Sequence, residues 1–140
     1  MTPLILIIED NSERMAWIVN HLATEDVRSI CARSAGVALG ILQRDGRRSI
    51  DGIMLDHDLQ EAPLTEADLR LSGSSLVSEI SKLVPRWVPI LIHSMNGVRA
   101  ATMARRLGSS GFAVTQCPMA ELTAERLSAW VAEVRDDWDD

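Results

Sequence analysis

Few of the residues that advertise a binding chemistry are present in this chain. It has two cysteines, Cys31 and Cys117, and neither stands at the short spacing to another cysteine or a histidine that a zinc site uses. A zinc centre is thereby disfavoured, and a reducing cytoplasm fits. Lys82 is the only lysine and there is no tyrosine. A formal charge of -6 and a pI near 5.0 argue against free nucleic acid as a partner, because binding by counterion release needs a clustered basic surface. The pairs Arg47-Arg48 and Arg105-Arg106 are too small to make one and read as solvated loop and helix positions. The longest apolar run, residues 4–8, is far too short to cross a bilayer, and no basic region precedes it as a signal peptide would require. The expectation is a soluble, cytoplasmic protein with no membrane partner.

What is present is a good core. The 140 residues are 46% hydrophobic, enough for a single domain over 1–140, with the acidic stretch 136–140 read as a solvated tail. Strand-like runs alternate with helical patterns, the signature of an α/β parallel sheet wrapped by helices with right-handed crossovers. Strands are expected at 4–8, 27–31, 51–56, 87–93 and 112–117. The first helix is capped by Asn11-Ser12 and carries Met15, Ile18, Val19 and Leu22 at helical spacing. Helices follow at 35–42, from Ser74-Ser75 to before Pro85, from Asn96-Gly97, and at 123–134 with Leu127, Trp130, Val131 and Val134 inward. Residues 57–72 are polar, irregular and longer than an ordinary connection, which points to function or mobility.

Acids close two of the strands. Ile8 leads into Glu9-Asp10, and the run Ile53-Met54-Leu55 ends in Asp56-His57-Asp58-Leu59. Neighbouring parallel strands that end in carboxylates form one anionic pocket, which wants a hard cation and, through it, a phosphate. Strand ends also tolerate acids without function. Three acids and a hydroxyl, Ser94, at matching strand ends weigh for a site.

With these residues in place, the chain resembles a response-regulator receiver domain over essentially its whole length. The resemblance rests on Glu9-Asp10-Asn11 after the first strand, Asp56 after the third, Ser94 after the fourth and Pro118 after the fifth. It implies a doubly wound five-stranded parallel sheet in the flavodoxin-like order 2-1-3-4-5. It further implies Mg2+, or another divalent cation such as Mn2+, held by Glu9, Asp10 and Asp56, with the backbone carbonyl of Asp58 as a further ligand. Asp56 is then the phosphoryl acceptor and Ser94 the hydroxyl that follows charge on a phosphoryl oxygen, although Ser94 is equally readable as a helix cap. Partners implied are a phosphoryl donor, a histidine kinase or other signalling protein, and a second copy of the chain, with Trp130 and Trp138 available for contact.

The departures from that pattern are informative. Receivers place a lysine before the fifth-strand proline, where this chain has Cys117, and an aromatic switch where it has Val114. A narrower resemblance accounts for them: Leu55-Asp56-His57-Asp58-Leu59 paired with His93-Ser94-Met95-Asn96 is similar to the cyclic-phosphate-processing receiver-like group. In that reading His57 and His93 exchange protons near neutral pH, Asp58 and Asn96 orient water, and the protein is a metal-dependent cyclic phosphate hydrolase. Arg99, one turn into its helix, is a candidate to replace the missing lysine in part. Three readings stay open: phosphoacceptor, cyclic-phosphate enzyme, and a pseudo-receiver that only binds proteins.

Overall fold

The near-continuous apolar run of the first strand is consistent with burial on both faces, and its alternate side chains feed two separate cores. The computed structural model describes residues 2–46, 49–56, 73–95 and 97–139. Among them, β1 (Leu4–Ile8), β2 (Arg28–Ala32), β3 (Gly52–Leu55), β4 (Ile90–Ile92) and β5 (Val114–Gln116) form one parallel sheet in the order β2-β1-β3-β4-β5. The helices are α1 (Ser12–Thr24), α2 (Ala35–Asp45), α3 (Gly73–Leu83), α4 (Gly97–Ser109) and α5 (Ala124–Asp139). Leu6 and Ile8 of β1 pack with α2, α3 and α4 through residues such as Leu42, Ile80 and Met103. Ile5 and Ile7 point the other way, to Ile18 and Leu22 of α1 and Trp130 and Val134 of α5. The period-2 pleat therefore splits one apolar strand between two layers, the requirement for a parallel sheet covered on both faces.

Local chemistry sets the boundaries. Asn11 caps α1 through its side chain, which accepts from the Arg14 N–H at 2.9 Å, and Ser34 caps α2 the same way by accepting from Val37 N–H at 3.2 Å. Gly46 follows α2, as the Asp45-Gly46 pair suggests. The fourth strand is shorter than 87–93: Val88 N–H bonds back to the Pro85 carbonyl at 3.2 Å, so Trp87 lies in a turn and is 48% exposed. The fifth strand loses its expected start for a related reason. Gly111, at φ 104°, ends α4 in a Schellman arrangement in which Phe112 N–H reaches the Leu107 carbonyl and Gly111 N–H that of Gly108. Phe112 thus belongs to the helix cap. Among the described residues a short 3-10 turn, Met119–Glu121, also separates β5 from α5.

At the far end, α5 runs on to Asp139, so residues 136–139 continue a helix instead of leaving it as a tail. Arg135 gives the extension an anchor, donating to the carbonyls of Glu25 and Asp26 in the α1–β2 turn. No helix among the described residues is long and apolar enough to cross a membrane.

Candidate functional site

Strand register brings the acids together. Ile8 of β1 pairs with Leu55 of β3, and the next step of the ladder is the Asp56 N–H donating to the Ile8 carbonyl at 3.0 Å. Glu9 and Asp56 consequently leave adjacent strands at the same height, at the carboxyl edge of the sheet where open α/β folds bind ligands. Glu9, Asp10 and Asp56 each offer a carboxylate oxygen within 4.8 Å of the others, and all three are buried. Arg33, just past β2, fastens the loop beneath them: its Nη2 donates to the Asp10 carbonyl at 3.1 Å and to Ser12 Oγ at 2.8 Å.

Arg14 is the residue that sequence reasoning missed. From the first turn of α1 its Nε and Nη2 grip the two oxygens of Glu9 at 2.8 and 3.2 Å, while Nη2 also stands 3.5 Å from Asp56 Oδ2 and 3.7 Å from Asp10 Oδ1. The signal was there in principle, since Arg14 lies four residues after Asp10, in the first turn of the helix that the acid pair leads into. A basic residue so close to the acid pair reads from sequence alone as ordinary helix solvation. Arg99, the arginine read as a partial replacement for the missing lysine, is exposed on the first turn of α4.

Glu9 is held by several partners at once. Burial, the largest influence, pushes its carboxyl up, but His93, Arg14 and the Asn11 N–H (3.0 Å from Oε2) together hold it well below the usual carboxylate range. Arg14 is pushed further up in turn, chiefly by its hydrogen bond to Glu9. His93 lies just past the end of β4, fully enclosed, with Nε2 3.3 Å from Glu9 Oε1. Ser94 follows it and is buried as well. Of the residues chosen from sequence, Glu9, Asp10, Asp56, His93 and Ser94 are buried at the carboxyl ends of β1, β3 and β4. His57, Asp58 and Asn96 lie outside the described residues.

After β5, Cys117 is buried with its N–H on the Ile92 carbonyl at 2.9 Å, and its Sγ stands 3.6 Å from Arg126 Nη1. Thus a thiol, with a guanidinium from α5 beside it, fills the position before Pro118.

No sequence-family model matches the chain, and neither does any curated protein. Solved structures do. A response regulator receiver domain protein from Clostridium thermocellum superposes with a TM-score of 0.73 at 22% identity, over 98% of this chain and 97% of that one. This chain has the receiver fold. A CheY-like response regulator receiver domain protein from Methanospirillum hungatei JF-1 matches at TM-score 0.72 and 16% identity, covering 99% and 98%. The receiver domain of NtrX from Brucella abortus gives 0.68 at 23% identity, covering 94% and 98%. These likenesses establish the receiver fold, with its flavodoxin-like strand order, and the acidic cluster lies at the carboxyl edge of that sheet.

The donor set suits a hard divalent cation. Three carboxylates share a small buried volume in which a guanidinium is already drawn against them, and their oxygens are the ligand type that magnesium and manganese prefer.

Proposed function

We propose that this protein is a receiver that binds a divalent cation through Glu9, Asp10 and Asp56 and accepts a phosphoryl group on Asp56. One observation carries the reading: three acids from two strand ends converge, buried, at the sheet edge where this fold places ligands. Magnesium, when bound, supplies charge neutralisation for the carboxylates and for incoming phosphoryl oxygens. The remaining steps belong to the chain. An Asp56 carboxylate oxygen attacks phosphorus, an O–P bond forms, and the bond from phosphorus to the donor's leaving group breaks with its electron pair going to that group. Arg14, 3.5 Å from Asp56 Oδ2, holds positive charge beside the reacting carboxylate, and the enclosed His93 holds Glu9 from behind. A histidine kinase or a small phosphoryl donor, acting in the cytoplasm, fits this role.

A second reading, cyclic-phosphate processing, is favoured by two features: an imidazole, His93, within the acidic site and a thiol, Cys117, where phosphoacceptor sites carry lysine. In it Asp56 serves mainly the metal, and His57 and His93 move protons.

The experiment treats the full chain with Mg2+ and acetyl phosphate, or with beryllium fluoride, and follows intact mass and binding. The expected result is an adduct or bound mimic that Asp56→Ala abolishes. Without either, the phosphoacceptor reading fails, and a panel of cyclic phosphates decides the remainder. Metal-dependent turnover that falls about a hundredfold in His93→Ala and His57→Ala, the scale of losing a general acid or base, supports the enzyme. No turnover leaves a pseudo-receiver that acts by binding proteins.

A further inference from the structure

The cluster already contains a cation of its own. Arg14 spans all three carboxylates, with contacts of 2.8 and 3.2 Å to Glu9, 3.5 Å to Asp56 and 3.7 Å to Asp10. Its side chain keeps 29% of its surface in solvent, whereas Glu9 and Asp10 keep at most 1%, so the charge enters the site from an open side. Resting on the reading of this cluster as a cation site, we propose that Arg14 is its resident counter-cation and competes with the divalent cation for Glu9, Asp10 and Asp56.

Three carboxylates taken out of water repel one another and bear a desolvation cost that an opposite charge must offset. Arg14 meets part of that need in the metal-free chain, through a two-pronged contact of the strong guanidinium–carboxylate kind. A divalent cation on the same oxygens lies within a few ångströms of the guanidinium, and like charges that close in a poorly solvated site repel strongly. Metal binding is therefore an exchange of one positive partner for another. Two properties follow: the fold does not depend on metal to neutralise its acids, and the affinity for metal is lower than the three carboxylates alone would set.

The test measures Mg2+ affinity by isothermal titration, and melting temperature with and without Mg2+, for the wild-type chain and for Arg14→Ala, Arg14→Gln and Arg14→Lys. Arg14→Gln keeps an amide donor for Glu9 without the charge, and it serves where Arg14→Ala fails to fold. Removing the charge should tighten Mg2+ binding by about tenfold or more, the direction expected from deleting a nearby like charge. The neutral variants should melt below wild type without metal and recover the difference at saturating Mg2+. Arg14→Lys, which keeps the charge, should stay near wild-type affinity. A wild-type chain that binds Mg2+ while the neutral variants bind it no more tightly, or less, overturns the competition and makes Arg14 an organiser of the carboxylates. If neither wild type nor variants bind Mg2+ or Mn2+, the cation-site reading falls, and the competition with it.

Discussion

Asp51 and Glu9 show how the same side-chain chemistry acquires opposite electrostatics from its surroundings. Both are buried acids next to β-strand ends. Glu9 has a guanidinium, an imidazole and a backbone N–H on its oxygens, and its carboxyl is drawn down. Asp51, which precedes β3, accepts from the Leu4 N–H at 2.8 Å and feels the charge of Arg28, but burial is the larger influence and pushes its carboxyl up. An acid whose folded pKa exceeds its unfolded value holds its proton more tightly in the native state. Stability contributed at this position is therefore greatest at low pH and falls as the pH rises from the ordinary value of 3.8 through the raised one. Asp51→Asn keeps an acceptor for Leu4 and removes the charge. Its melting temperature should exceed that of wild type at pH 7, by a gain of no more than about 1 kcal/mol. The difference should shrink as the pH is lowered toward 3.5, as thermal melts across that range would record.

At the scale of elements, the sequence was legible wherever periodicity and capping agreed. The cap at Asn11, the inward stripes of α1 and α5, and the strand at β1 could all be read from neighbouring residues, because the forces that set them act within a few positions. The short β4 and the displaced start of β5 were not legible, because the apolar character of Trp87 and Phe112 suits a strand while their backbone groups are committed to a turn and a helix cap. Between elements, Gly52, the first residue of β3, marks a close approach of the sheet to α5. A Cβ there would stand 3.0 Å from Val134 Cγ2 and 3.1 Å from the Trp130 ring, both in the buried core of α5. Gly52→Ala should destabilise the protein by about 1 kcal/mol, as overpacking outweighs the loss of unfolded-chain entropy. Denaturant melts would give the size, and a shift in Trp130 fluorescence would place the strain at the sheet–α5 contact.

For the whole molecule, the candidate site exists only when β1, β3 and the start of α1 are assembled, so a ligand that needs all three binds the folded chain alone. Magnesium at about a hundred times its dissociation constant should accordingly raise the unfolding free energy by about 2.7 kcal/mol. The denaturant m-value should not change, since the surface exposed on unfolding is the same. Equal shifts in wild type and Asp56→Ala would remove Asp56 from the metal site.

By itself the sequence determined the alternation of strand and helix, the acids that end β1 and β3, and hence the kind of chemistry on offer, since these depend on local pattern and on residue type. Only the tertiary structure decided which charges meet. Strand register put Glu9 and Asp56 at one height, the turn into α1 carried Arg14 onto both, and burial placed His93 against Glu9. Coulomb energies depend on distance and local dielectric, and chain folding sets both.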